Sequence, residues 1–101
     1  MTAPKPDIAQ LLKDKREEIL SLAAKHGAKN VRVFGSVARG TAGPNSDVDF
    51  LVDVGHNHSP WFPGGLVADL EDLLECRVDM VTENSLYSYL RERVLSEAIA
   101  L

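Results

Sequence analysis

Residues 31–54 read VRVFGSVARGTAGPNSDVDFLVDV and carry the most informative pattern of the chain. Residues 31–34 are β-branched or aromatic at three of four positions, which favours a short strand. Gly35 permits a tight turn, and a short helix over 36–39 is predicted before a loop rich in glycine and proline. Residues 47–54 alternate between two faces and predict a second strand.

The second predicted strand begins with two acidic side chains. Asp47 and Asp49 are two residues apart, so both point to the same face of the strand, with α-carbons about 6.6 Å apart. At about 7 Å, two carboxylates repel by roughly 2 kcal/mol at an effective dielectric constant of 20, which favours a bound cation. Two such carboxylates can flank a metal pair about 3.5–4 Å apart, the spacing of two-metal phosphoryl transfer. The alternative is an edge strand with solvated acids.

Asp79 is the third candidate ligand. It lies in a later predicted strand, where Val78 and Met80 occupy the opposite face. If that strand pairs beside the second one in the right register, Asp79 joins Asp47 and Asp49 at one site.

The turn at Gly35 is a candidate phosphate site. Glycine lets a phosphate approach the backbone closely, and the first N–H groups of the following helix are free to bind an anion. The hydroxyl of Ser36 adds a donor, although Ser36 can also serve simply as a helix N-cap. For Arg39, an ion pair with a nearby carboxylate and a phosphate contact are both open.

The spacing of apolar residues predicts helices and strands in the rest of the chain. Asp7 is a predicted helix N-cap with Gln10 as its capping-box partner, and Gly27 is the predicted C-cap of that helix. Three further segments follow: a helix over 66–75, a strand over 77–82 and a closing helix over 85–101. The order α-β-α-β-α-β-α predicts an α/β (α+β) fold as a single domain over residues 1–101, with a small mixed β-sheet and helices packed on one face.

Composition narrows the class of protein. The 101 residues are 45% hydrophobic with a formal net charge of −4, which counts against a nucleic-acid binder because such proteins usually present a basic face. We find no apolar run long enough to span a membrane and no signal-peptide pattern, and the single Cys76 agrees with a reducing compartment. We therefore expect a cytoplasmic protein.

Residues 55–65, GHNHSPWFPGG, predict a loop. His56 and His58 form an H-x-H pair, but no third zinc ligand is near in sequence, so a flexible loop is the better interpretation. Trp61 and Phe62 either pack locally or face a partner or a base.

The string from Gly35-Ser36 through Ala38-Arg39-Gly40 to Asp47-x-Asp49 resembles the signature of the polymerase-β-type nucleotidyltransferases, and specifically their minimal (MNT) group. The resemblance implies a polymerase-β-like nucleotidyltransferase fold that binds ATP and Mg²⁺, with two ions expected. It further implies that Asp47, Asp49 and Asp79 are the catalytic, metal-binding acids. Gly35 and Ser36 would contact the nucleotide phosphates, and Arg39 matches the arginine of the family's A-R-G element.

The resemblance also implies a partner. Minimal nucleotidyltransferases pair with HEPN-domain toxins, and they act as antitoxins by transferring AMP from ATP to a tyrosine of the toxin. Two alternatives stay open: a non-catalytic antitoxin that neutralises its HEPN partner by contact, and a nucleotidyltransferase that modifies a small molecule or RNA. A homo-oligomer is also open.

Overall fold

The sheet is built on an antiparallel pair, β1 (Ala28–Phe34) and β2 (Val48–Val54). The computed structural model describes residues 7–43, 46–55, 58, 60, 62–86 and 88–101, with the backbone only at 84, 88 and 89. A short helix, α3 (Ser36–Arg39), follows β1 directly, as the sequence predicts. His56 of the H-x-H pair and Trp61, both in the predicted loop, lie outside the described residues.

Two further strands complete the sheet. β3 (Val78–Thr82) pairs parallel with β2, and β4 (Ile99–Ala100) pairs antiparallel with β1. The strand order is β3-β2-β1-β4, so β2 and β1 are central and the sheet is mixed. The helix α4 (Gly64–Leu74) connects β2 to β3, as a parallel connection requires. The predicted fold class is confirmed.

The main hydrophobic core lies on one face of this sheet. Val48, Phe50 and Val52 alternate along β2 and are completely buried. They pack with α4 and with two N-terminal helices, α1 (Ile8–Asp14) and α2 (Arg16–Lys25). The alternation of β2 leaves Asp49, Leu51 and Asp53 on the opposite face. Leu51 is also completely buried, so that second face is covered in part.

A charged cluster also lies on the second face. The guanidinium of Arg32 donates to Asp53 Oδ1 at 2.9 Å and lies 3.7 Å from Glu83 Oε2. Asp53 also accepts a hydrogen bond from the side chain of Asn30 at 3.0 Å. Asp53 is therefore a structural partner of β1 rather than part of the acidic site at the start of β2.

The predicted first helix differs from the observed one. It is interrupted at Lys15, which separates α1 from α2, and neither glycine nor proline marks that break. Asp7 is the N-cap residue, but its side chain makes no capping hydrogen bond. The capping box is wrong because the Gln10 amide donates to Asp14 Oδ1 at 2.9 Å, within the helix.

The predicted closing helix over 85–101 is also too long. A 3₁₀ turn over Glu83–Ser85 precedes α5 (Ser88–Glu97), and the chain then becomes β4. Ile99 pairs with Val33, and Ala100 pairs with Arg32. Pairing with β4 gives hydrogen-bond partners to backbone N–H and C=O groups at the edge of β1. This stabilisation outweighs the helical spacing that predicted a helix through Ile99.

Among the residues described, the helices are all too short or too polar to cross a lipid bilayer.

Candidate active site

Two carboxylates meet near the N-terminal ends of β2 and β3. Asp49 of β2 and Asp79 of β3 are direct register partners in the parallel pair. Neighbouring strands are about 4.8 Å apart, and partnered residues point to the same face. The two side chains are close enough to hydrogen bond to each other. The register that the sequence left open therefore places Asp79 beside Asp49.

Asp49 has a raised pKa. The pKa of Asp49 is raised from 3.8 to about 6, first by burial and then by the charges of Asp79 and Asp47 and the hydrogen bond with Asp79, while Arg39 acts in the opposite direction. Two carboxylates at this separation cannot both ionise without repulsion. A cation between them would relieve that repulsion.

Asp47 stands at the edge of this pair. It directly precedes β2, is half-buried, and lies close enough for its charge to affect Asp49. Across the described residues, no three His, Cys, Asp or Glu side chains are already arranged as a metal cluster. Magnesium is usually held by one or two carboxylates plus waters and substrate phosphates. The Asp49–Asp79 pair fits that donor set, with Asp47 next to it.

Gly35 is fixed by its contact with Asp49. Its backbone, at φ 71° and ψ −147°, lies in a region that is essentially restricted to glycine. A Cβ built on Gly35 would overlap Asp49 Oδ2 and lie 3.2 Å from Asp49 Cγ. The turn at the end of β1 therefore touches the acidic pair directly, and a side chain at residue 35 would displace it.

The short helix after this turn places Ser36 and Arg39. Gly35 is the N-cap of α3, so Ser36 is its first residue and the N-cap interpretation of Ser36 is wrong. Gly40 ends the helix at φ 74°, and the Ser36 carbonyl accepts from the backbone N–H of Thr41 at 2.9 Å. Ser36 is half-buried and directly follows Gly35, the residue that contacts Asp49.

Arg39 makes an ion pair with a carboxylate that the sequence did not identify. Its Nη1 donates to Glu97 Oε1 at 2.9 Å, so the ion-pair alternative describes this structure. The guanidinium also lies near enough to Asp49 to lower its pKa. Glu97 lies 58 positions away in the chain and carried no signal in sequence, because it fell inside the predicted closing helix.

The family model for the nucleotidyltransferase domain matches residues 12–101 of the chain, a range that includes all six predicted site residues. The chain belongs to the nucleotidyltransferase domain family. It is therefore a nucleotidyltransferase, and the resemblance stated from its sequence is confirmed.

Relatives of this nucleotidyltransferase agree with the family assignment. The chain is 38% identical over 97 residues to the protein adenylyltransferase MntA of Thermococcus cleftensis, and the match covers 91% of this chain and 98% of that protein. It is 37% identical over 84 residues to MJ0435 of Methanocaldococcus jannaschii, a predicted protein adenylyltransferase, covering 83% of this chain and 90% of that protein.

Solved structures agree on the fold. A structure described as a minimal nucleotidyltransferase superposes with a TM-score of 0.84 at 47% identity, covering 98% of this chain and 100% of that one. A toxin–antitoxin structure with AMP-PNP superposes with a TM-score of 0.70 at 24% identity, covering 83% of this chain and 69% of that one, and it supports the fold alone.

The substitution Asp49→Asn tests, through the melting temperature, whether repulsion and burial at the Asp49–Asp79 pair destabilise the ionised fold; we call this pair the strained pair. The pKa of Asp49 is higher in the fold than its ordinary value of 3.8, so its contribution to stability is complete below pH 3.8 and is lost as pH rises through about 6. Asn cannot ionise, so the variant should melt higher than the wild type at pH 7.5 and lose that advantage at pH 4. After allowance for solvent screening, we expect about 1 kcal/mol, or roughly 4–8 °C in Tm.

Asp72→Asn is the matched control for that measurement. Asp72 is exposed on α4, and its substitution removes the same charge as Asp49→Asn does. Its melting temperature should follow the wild type at both pH values. An Asp49→Asn variant that is less stable than the wild type at pH 7.5 would contradict the assignment of a strained pair.

Gly35→Ala tests the close approach of the turn to Asp49. Backbone strain and overlap with the carboxylate should cost about 1–3 kcal/mol of unfolding free energy and abolish nucleotide transfer. Gly40→Ala is the control, since Gly40 has a similar φ of 74° but open space where a Cβ would lie. Its transfer rate should stay near that of the wild type. Equal transfer by both variants, with thermal melts confirming that each is folded, would refute the contact.

Proposed function

We propose that this nucleotidyltransferase uses Mg²⁺ to transfer AMP from ATP to a hydroxyl of a partner protein, a tyrosine of a HEPN-domain toxin, and thereby acts as an antitoxin. The observation that carries the proposal is that the Asp49–Asp79 pair lies against the turn at Gly35, where burial and the neighbouring acids raise the pKa of Asp49 to about 6. A cation site next to a glycine turn has the elements that phosphoryl transfer requires.

The glycine turn is assigned to the triphosphate. Glycine is the residue type that lets a phosphate approach the backbone of a turn closely, and at Gly35 the space of the missing Cβ itself is taken by the Asp49 carboxylate. The hydroxyl of Ser36 and the guanidinium of Arg39 then supply donors on one side of the phosphates. About half of the Arg39 side chain is exposed to solvent, so an incoming anion can reach it.

Asp49 and Asp79 are assigned to Mg²⁺, with Asp47 as the third acid. When bound, Mg²⁺ would offset the charge of the phosphate oxygens and polarise the phosphoryl group. In the reaction, the acceptor hydroxyl releases its proton to solvent as its oxygen forms a bond to the α-phosphorus, the bond from that phosphorus to the bridging oxygen breaks, and pyrophosphate leaves. Oxygen ligands from carboxylates match the preference of this hard cation.

A protein acceptor is supported by the relatives, which are named protein adenylyltransferases. The toxin partner is supported more indirectly: structures described as MntA–HepT toxin–antitoxin complexes share this fold at 20–24% identity. The net charge of −4 disfavours RNA as the acceptor, because an acidic surface repels a phosphate backbone.

A labelling experiment tests the proposal. The purified protein is incubated with Mg²⁺, the HEPN-domain protein encoded nearest to it, and ATP labelled at either the α- or the γ-phosphate. We expect α-label to appear on a tyrosine of the partner and γ-label to stay off it, because pyrophosphate leaves. Asp49→Asn and Asp79→Asn should each reduce the labelling at least a hundredfold.

The exposed control Asp72→Asn should label the partner at the wild-type rate. Transfer that survives loss of both acids would overturn the site assignment. If no partner is labelled, yet the doubly substituted protein still suppresses toxicity in cells, neutralisation by contact is the correct function and the enzymatic proposal fails.

A further inference from the structure

Glu97, from the C-terminal region of the chain, contacts α3, the short helix that follows the glycine turn. It is the last residue of α5, and its Oε1 accepts from Arg39 Nη1 at 2.9 Å. The Glu97 side chain is 21% exposed, whereas that of Arg39 is 46% exposed. The carboxylate is therefore the more enclosed partner, and the guanidinium extends from it towards solvent.

The backbone on both sides of Glu97 is anchored. Before it, Val94 is buried, and its carbonyl accepts from the backbone N–H of Ala98 at 2.9 Å. After it, Ile99 pairs with Val33, and the backbone N–H of Leu101 donates to the Val31 carbonyl at 3.0 Å. Since β1 runs directly into Gly35, the strand that carries the turn also holds the segment that presents Glu97.

Glu97 interacts with a group at each end of α3: the backbone of Gly35 before the helix and the side chain of Arg39 at its last position. The hydrogen bond from Arg39 holds the pKa of Glu97 below its ordinary value, and the backbone N–H of Gly35 lowers it as well. Arg39 in turn lies close enough to lower the pKa of Asp49. The guanidinium thus interacts with the carboxylate of Glu97 directly and with Asp49 through its charge.

This position creates a competition for Arg39. An arginine side chain is long and flexible, and Asp47, Asp49 and Asp79 together attract any nearby cation. If Arg39 moved onto the acidic pair, it would occupy the place assigned to the metal ion and would no longer face the triphosphate. The ion pair of the guanidinium with Glu97 opposes that movement.

We propose that Glu97 is a positioning residue that holds the Arg39 guanidinium at the mouth of the Gly35 turn, with its remaining N–H donors available to the triphosphate of the nucleotide. Only Nη1 is engaged by Glu97, and an arginine has five N–H donors. This inference rests on the proposed function, because it takes the turn as the triphosphate site. It adds a residue from the far end of the chain to that site.

The test compares Glu97→Ala and Glu97→Gln with Glu92→Ala, a control that removes an exposed carboxylate from the same helix. The measurements are the KM for ATP and kcat in the labelling assay, the Kd for α,β-methylene ATP, and Tm. We expect Glu97→Ala to raise KM and Kd about fivefold with kcat nearly unchanged. Glu97→Gln keeps an acceptor oxygen and should recover part of the loss, whereas Glu92→Ala should match the wild type.

A double-mutant cycle separates positioning from a general effect of the helix. If Glu97 acts through Arg39, Glu97→Ala should cause no further loss of nucleotide affinity in a chain that already carries Arg39→Ala. An equal loss in both backgrounds would overturn the proposal. So would tighter nucleotide binding by Glu97→Ala, which would mean that Glu97 competes with the phosphates, or a fall in Tm with no change in affinity.

These outcomes are distinct from failure of the proposed function. Wild-type transfer that is unaffected by Glu97→Ala would overturn only the role of Glu97. A wild-type chain that transfers nothing but binds α,β-methylene ATP leaves the affinity comparison decisive. A wild-type chain that does not bind the analogue at all would overturn both proposals.

Discussion

The structure depends on the contact between Asp49 and the bare backbone of Gly35. The antiparallel pairing of β1 and β2 brings Asp49 opposite Phe34, the last residue of β1, so the acid meets the turn that follows this strand. Glycine is required there because a Cβ would overlap the carboxylate. The parallel pairing of β3 then adds Asp79 on the other side. One acid is thus enclosed between a turn and a second acid, and burial and like charge raise its pKa to about 6.

In the strand order β3-β2-β1-β4, the same strands form the core and carry the acidic site. Both central strands are covered on one face by helices, which leaves the ends of β1 and β2 to carry polar groups on the other face. The C-terminal segment contributes as well, because β4 closes the edge of β1 and brings Glu97 to the glycine turn. Stability and site geometry therefore share the same backbone pairings, and a change in the C-terminal segment can alter the surroundings of the glycine turn without altering Asp47, Asp49 or Asp79.

Sequence reasoning recovered what depends on local period and spacing. The alternation in β2 correctly separated Phe50 from Asp49, and the family signature correctly identified a nucleotidyltransferase. It could not determine the register of β3, since pairing between distant strands leaves no local pattern. For the same reason it extended the last helix through Ile99, which pairs with Val33 instead, and it missed Glu97. The roles of the six site residues stay predictions, and the structure supplies the geometry on which they depend.

The most direct measurement of the account is an NMR titration of the side-chain carboxyl carbons of Asp49 and Asp79, with and without Mg²⁺. The account predicts that the carboxyl pair titrates with an apparent pKa near 6 for Asp49, and that saturating Mg²⁺ moves this pKa well below 6, because the cation and the proton compete for the same oxygens. An Asp49 carboxyl that titrates near 3.8, or one whose titration is the same with and without Mg²⁺, would contradict it.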